Sequence, residues 1–198
     1  DRAREMYSAE LHKRDVLALK RMIGDAQPGL GRKLEKINTL MLEMGKHCTG
    51  QAGEEASSAV EPPGDLLSLL QDFVSAGETV LTGSHSAAYY LPLLEFYYQA
   101  FGFTRVAELY DDNYVTYVEK RGRNVRVRLF CVNPSRNVAE ALKRGTSALF
   151  FSATMTPLDY FRDLLGGEDG DLQLNLDSPF PRDHLHLAVG DHIATTYK

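Results

Sequence analysis

The chain has 198 residues, of which 43% are hydrophobic and 25% charged, and its formal net charge is −5. This composition is typical of one globular domain or two small ones, and it excludes collagen-like and wholly disordered chains. Two isolated cysteines, Cys48 and Cys131, cannot build a CxxC motif or a disulfide framework, so we expect buried thiols in the cytoplasm. No apolar run predicts a membrane span, and the start is neither a signal peptide nor an initiator methionine. We therefore expect a cytoplasmic segment of a longer protein, without a membrane partner.

The first half of the chain has helical periodicity. Apolar residues recur at spacings of three to five over residues 2–46, which predicts two or three helices. Residues 49–64 are rich in Gly, Ser, Ala, Glu and Pro, which predicts a mobile surface loop. Helical spacing returns over 65–74 and 86–103. The second of these segments carries an aromatic stripe that we assign to the core: Tyr89, Tyr90, Phe96, Tyr97, Phe101 and Phe103.

The second half of the chain changes to a period of two. Alternating β-branched and aromatic residues, with turn chemistry at 121–124, predict a β-hairpin at about 113–132. A short helix over 134–142, capped by Asn133 or Ser135, a buried strand over 147–151 and a helix over 157–165 follow. The predicted fold class is α+β. We expect a mainly helical domain over residues 1–144 and a short α/β segment over 145–198.

A small hydroxyl motif follows the predicted strand. The run Ser152-Ala153-Thr154, continued by 155–166 and later by Ser-Pro-Phe-Pro at 178–181, resembles motif III and its sequel in superfamily 2 DNA helicases of the DinG/XPD type. Residues 2–9 are similar to the segment that follows the DEAH box in bacterial members. Residues 94–135 are similar to their arch segment.

This resemblance implies a location within a helicase. In the family, a mainly helical arch domain leaves the first RecA-like motor domain after the DEAH box and returns before motif III. The chain would then be an arch domain with a returning motor segment, which encloses and guides single-stranded DNA. Ser152, Ala153 and Thr154 would couple nucleotide state to the grip on DNA. A simpler role, compatible with the first, is that Ser152 and Thr154 cap the helix that starts at Pro157 and satisfy their hydroxyl groups at the end of the strand.

The resemblance also bears on cofactors. The sequence contains neither a Walker A loop nor a DEAH box, so we expect this stretch alone to hydrolyse no ATP and to hold no cofactor. ATP and Mg²⁺ are expected for the parent helicase. The family's iron–sulfur cysteines precede the DEAH box where they occur, so the sequence leaves that cluster open.

The predicted hairpin carries the strongest local charge. Five cations and no acid occur within nine residues, namely Lys120, Arg121, Arg123, Arg126 and Arg128. They could contact DNA phosphates while Tyr114 or Tyr117 stacks on bases. The alternative is a solvated edge hairpin whose charges prevent aggregation. Cations nearer the start are interspersed with acids, which predicts solvated helix faces: Lys13, Arg14, Lys20, Arg21, Arg32, Lys33 and Lys36.

Other function classes stay open at this point. Three histidines beside two acids, His184, His186 and His192 with Asp183 and Asp191, form no complete ligand set, so we expect no metal site. A regulatory protein-docking module without DNA contact would suit the acidic balance and the predicted loop at 49–64. An unrelated enzyme with a coincidental Ser-Ala-Thr is a third reading.

Overall fold

The computed structural model describes residues 2–51, 54–83 and 87–177, together with 179, 181, 186, 188 and 190. The chain divides into two units, residues 1–168 and residues 169–198. All helices and strands of the described residues lie in the first unit. The domain limits that the sequence suggests, at 144 and 145, stay a prediction.

Helices and a sheet alternate along the first unit. The helices are α1 (Arg2–Met6), α2 (Lys13–Ile23), α3 (Pro28–Lys46), α4 (Gly64–Gly83), α5 (Tyr90–Ala107), α6 (Ser135–Leu142) and α7 (Leu158–Leu164). The strands are β1 (Ala9–His12), β2 (Thr49–Gln51), β3 (Glu54–Ala59), β4 (Tyr114–Arg121) and β5 (Asn124–Cys131). The predicted α+β class is confirmed.

The sheet is antiparallel, in the order β1-β5-β4-β3-β2. Burial alternates along β5, where Val125, Val127 and Leu129 are buried while the residues between them are only partly covered. Alternate strand residues point to opposite faces, so one face packs on the helices. The core joins these side chains to apolar residues of the helices, among them Leu34 and Phe73. The opposite face of the sheet is called the outer face below.

The hairpin β4–β5 confirms its prediction. Arg121 pairs with Asn124, so Gly122 and Arg123 form a two-residue turn. Gly122 has a φ of +58°, a left-handed conformation that a glycine adopts without steric cost. The hairpin is therefore short, tight and fixed in register.

Two predictions for the first third of the chain are wrong. Ala9–His12 is a strand rather than part of a helix, because it pairs with β5 through residues 126–129. The predicted mobile loop at 49–64 instead contains the strands β2 and β3, and β3 pairs with β4. Main-chain hydrogen bonds hold these strands, so a polar, small-residue composition does not prevent strand formation.

The aromatic stripe of α5 largely confirms its assignment to the core. Phe96 and Phe103 are buried, and Phe96 makes an edge-on contact with Phe73, with ring centroids 5.2 Å apart. The tyrosines of the stripe pack against the core from its edge. Phe101 is exposed and stacks on Tyr97.

The segment after α6 differs from its prediction. Residues 147–151 form no strand, and Leu149 and Phe151 are 85% and 86% exposed. A strand needs a neighbour for its main-chain groups, and no described strand lies beside this segment. The two predicted helices are present as α6 and α7. The predicted N-cap at Asn133 or Ser135 is wrong, because α6 begins after Pro134. Asn133 closes the turn before the helix, since its Oδ1 accepts a hydrogen bond from the Ser135 N–H at 3.1 Å.

The end of α7 packs closely on α6. The Gly167 N–H donates to the Arg162 carbonyl at 2.9 Å and the Gly166 N–H donates to the Asp163 carbonyl at 3.2 Å, which is a Schellman ending. Gly166 has a φ of +74°, and a Cβ there would lie 2.4 Å from the Ser135 carbonyl oxygen. Glycine is therefore required here by both conformation and space. Among the described residues, every helix is too short or too polar to cross a membrane.

Candidate nucleic-acid interface

The hairpin distributes its five cations over two surfaces. Arg126 and Arg128 lie on the outer face, as predicted from their spacing, and Arg121 ends β4 on that same face. Lys120 and Arg123 line a groove on the helix side of the hairpin tip. The two surfaces differ in how their charges are compensated.

On the outer face, Glu119 binds two arginines. Its carboxylate accepts from the Arg121 Nε at 2.6 Å, and its other oxygen lies 2.6 Å from an Arg126 terminal nitrogen. Glu10 of β1 approaches Arg126 at 3.6 Å. Glu119 is only 8% exposed, so these contacts are poorly screened by solvent. The carboxylates therefore neutralise much of the positive charge at this end of the hairpin.

Arg128 is also engaged on the outer face. One of its terminal nitrogens lies 2.7 Å from both carboxylate oxygens of Glu5, and its guanidinium stands 4.7 Å from the centre of the Phe130 ring. These contacts attach α1 to the sheet. A phosphate at Arg126 or Arg128 would have to displace an acid of the chain itself.

The two tyrosines proposed to stack on bases lie in different environments. Tyr114 is 2% exposed, and its hydroxyl accepts a hydrogen bond from the Asn137 amide at 2.9 Å. Burial raises the pKa of the Tyr114 phenol and that of the neighbouring Cys131 thiol. The stacking role of Tyr114 is therefore wrong, because its ring belongs to the packed interior. Tyr117 lies opposite Arg128 on β4 and is partly exposed, so its role stays a prediction.

The groove of about 440 Å³ lies between the hairpin tip, the last turn of α3 and the start of α2. Gly45 lets α3 approach the sheet, since a Cβ at that position would lie 2.7 Å from Cγ2 of Val125. Asn124 ties the tip to α2, because its Oδ1 accepts a hydrogen bond from the Arg14 N–H at 3.1 Å. The groove is thus built where three elements meet.

Four cations and one acid line this groove: Lys13, Lys46, Lys120, Arg123 and Glu43. Lys120 has a partner, because its ammonium lies 2.5 Å from a carboxylate oxygen of Glu55. For Lys13, Lys46 and Arg123, the described part of the chain supplies neither a hydrogen bond nor an ion pair from the side chain. The groove therefore holds positive charge that acids of the described chain leave uncompensated.

The position of Lys13 corrects the sequence prediction. The charge pattern predicts a solvated helix face for Lys13, yet the residue is only 7% exposed. The reason is that α2 begins directly after β1, which places this residue where the sheet meets the helices. Sequence reasoning missed Lys13 and Lys46 as groove residues. Helical spacing describes only neighbours along the chain, so it cannot indicate that these lysines lie beside a hairpin about 75 or more residues further on.

The other predicted N-terminal cations remain at the surface of α2 and α3. Several are paired there: Lys20 with Glu35, Lys33 with Asp72, and Arg14 with its neighbour Asp15. Arg32 and Lys36 are exposed and have no ion pair among the described residues. The predicted solvated faces are therefore confirmed for this group.

The residues of the proposed motif III form a small exposed turn. The Thr154 N–H donates to the Ser152 Oγ at 3.1 Å, and the two hydroxyl oxygens lie 3.2 Å apart, on either side of Ala153. Capping of α7 by these residues is wrong, since the helix follows Pro157 without a side-chain cap. The hydroxyl groups are satisfied within the turn itself. Coupling by these residues stays a prediction.

No metal-binding cluster of three or more His, Cys, Asp or Glu side chains occurs among the residues that the structure describes. His184, His192, Asp183 and Asp191 lie outside those residues. The chain matches no protein-family model, and no curated protein matches it. Its function must therefore be argued from residues and geometry.

Proposed function

We propose that this chain is the arch domain and returning motor segment of an ATP-dependent DNA helicase of the DinG/XPD type. In this proposal the arch guides single-stranded DNA over the motor, in the cytoplasm. The parent would bind ATP and Mg²⁺ through residues other than those of this chain. Ser152, Ala153 and Thr154 would couple nucleotide state to DNA. The resemblance at residues 152–166 supports the family, and the groove supports the role.

The observation that carries the role is the uncompensated charge in the groove. Lys46 and Arg123 are exposed, lie on different elements and have no acidic partner in the described chain. DNA binding draws on cations that can release the counterions of the phosphates. Arg126 and Arg128, which already contact carboxylates, are poorer sources of that free energy. The phosphate path is therefore proposed along the groove rather than across the outer face.

Fluorescence anisotropy of a labelled single-stranded oligonucleotide across a salt series tests this role. The double variant Lys46→Glu/Arg123→Glu should weaken binding at least about tenfold at low salt. It should also lower the slope of log affinity against log salt by about two, one for each lost phosphate contact. Both residues are exposed, so we expect the free energy of unfolding to change little.

The matched control is Arg32→Glu/Lys36→Glu. It makes the same change of charge at two exposed residues of α3 that do not line the groove. Equal losses of affinity in both double variants would show that only the net charge matters. That result would contradict a defined phosphate path along the groove. Absence of binding by the native chain at low salt would overturn DNA guidance altogether.

That last outcome would leave the protein-docking module as the second candidate. The observation in its favour is a stripe of exposed apolar side chains on α5, formed by Leu91, Tyr98 and Phe101. Helical spacing places these three residues on one side of the helix. A regulatory protein without DNA contact would then be the partner of the arch.

A further inference from the structure

The groove contains a buried cation, Lys13, whereas contacts with the phosphates of a solvated DNA strand need only exposed cations. Lys13 is more than nine-tenths buried, lines the groove and has no hydrogen-bond or ion-pair partner among the described residues. Burial of an uncompensated charge is expensive, so buried lysines are normally paired. Its ammonium nitrogen is not fully enclosed, and the residue is part of the groove lining.

The surrounding charges indicate what would compensate it. Within the described part of the chain, Lys13, Lys46 and Arg123 have no ion pair. Glu43 is the acid in the groove lining, so the lining keeps a surplus of two positive charges. The carboxyl end of α3 opposes an anion, and Lys46 in its last turn offsets that effect. The start of α2 at Lys13 presents the favourable end of a helix. A compact group with two negative charges matches this arrangement.

We infer that the groove is a binding site for a phosphate monoester, with Lys13 as its buried anchor and Lys46 and Arg123 closing over it from two sides. A monoester carries a charge of about −1.5 to −2 near pH 7, whereas each phosphodiester of a DNA backbone carries one. Lysine binds phosphate as a point charge and needs no planar partner. The inference rests on the proposed function only for the source of the phosphate, which would be the end of a DNA strand.

The experiment compares oligonucleotides that differ only at their ends: a 5′-phosphate, a 3′-phosphate, or hydroxyls at both ends. We expect one phosphorylated end to bind at least about fivefold more tightly than the hydroxyl form, as an added charge-assisted contact predicts. Inorganic phosphate should raise the Tm of the chain relative to sodium chloride at the same ionic strength, because a ligand of the folded state stabilises it.

Lys13→Met is the diagnostic variant, since methionine keeps an apolar stem in the buried position and removes the charge. It should abolish both the preference for a phosphorylated end and the rise in Tm with phosphate. Lys36→Met on the exposed part of α3 is the control and should retain both. Because Lys13 has no partner among the residues that the structure describes, its replacement should leave the Tm without phosphate unchanged or higher.

The outcomes separate this inference from DNA guidance. Equal binding of all three oligonucleotides and no effect of phosphate on the Tm would overturn the phosphate site, while guidance of a strand would stand. A response to phosphate without any oligonucleotide binding would support the site and overturn the DNA source. A preference that persists in Lys13→Met would overturn Lys13 as the anchor.

Discussion

On the outer face of the hairpin β4–β5, carboxylates form ion pairs with Arg121, Arg126 and Arg128. In the groove, Lys13, Lys46 and Arg123 have no ion pair among the described residues. The sequence presents the hairpin cations as one basic run. Folding divides them, because Glu5 and Glu10 arrive from the first residues of the chain and Glu119 from within β4.

This difference separates two uses of positive charge. A paired arginine on a half-buried sheet face fixes neighbouring strands and helices, and its charge is already offset. An unpaired cation at a groove gives no such cohesion and remains available for an anion from outside. Counting Lys and Arg along a strand therefore does not locate a binding surface. The location of a binding surface depends on which acidic side chains the fold places beside each cation.

The largest expected effect is the loss of the carboxylate that binds two arginines. Glu119→Gln should lower the free energy of unfolding by about 2 kcal/mol, because the mostly covered Arg126 would face a neutral amide. Arg121 would lose the same partner, but its side chain is exposed and can be hydrated. The measurement is urea unfolding, where the midpoint should fall at an unchanged m value.

The control for that change is Glu43→Gln. Glu43 is exposed, lines the groove and has no ion pair among the described residues, so its loss should cost less than about 0.5 kcal/mol. It should also strengthen anion binding in the groove, since it is an acid of the lining. Similar stabilities for the two variants would contradict the contrast between the two faces.

A smaller effect is expected where α3 approaches the sheet. Gly45→Ala places a Cβ 2.7 Å from Cγ2 of Val125, a stiff β-branched side chain that is buried and cannot move aside. Overpacking of this kind costs about 1–3 kcal/mol, while the better helix propensity of alanine returns up to about 1 kcal/mol. We expect a net loss of about 1 kcal/mol in thermal or urea unfolding.

The matched background is Val125→Ala, which removes both methyl groups near that position. There, Gly45→Ala should become stabilising, because only the gain in helix propensity remains. The same sign in both backgrounds would show that the close approach of α3 does not determine the geometry of the groove.

Much of the fold follows from local patterns, and the site does not. The hairpin was predictable because alternation and the Gly122 turn are encoded within twenty neighbouring residues. Strand β3 was not, because its residues are only Glu, Ala and Ser, and the strand is stabilised by main-chain pairing with β4 about sixty residues away. Lys13 was missed for a related reason. Its burial depends on the pairing of Leu11 with Val127, and the local periodicity of the sequence does not indicate this long-range contact.

The smallest expected effect concerns the most exposed ion pair of the outer face. Glu5 is largely exposed, while Arg128 is mostly covered and also contacts Phe130. A double-mutant cycle of Glu5→Gln and Arg128→Met cancels the aromatic contact and should give a coupling energy of about 0.5 kcal/mol. Salt at 1 M, where the screening length is about 3 Å, should reduce it by half or more.

The neighbouring pair Arg14 and Asp15 supplies the comparison for that cycle, since its guanidinium is exposed and the contact is longer, at 3.3 Å. Its coupling should be close to zero at all salt concentrations. If Glu5 and Arg128 also showed no coupling energy at low salt, a phosphate could bind Arg128 without the cost of breaking its ion pair. Arg128 would then be as available to a phosphate as Lys46. The phosphate path would then extend from the groove onto the outer face, because the carboxylate beside Arg128 would no longer distinguish the two surfaces.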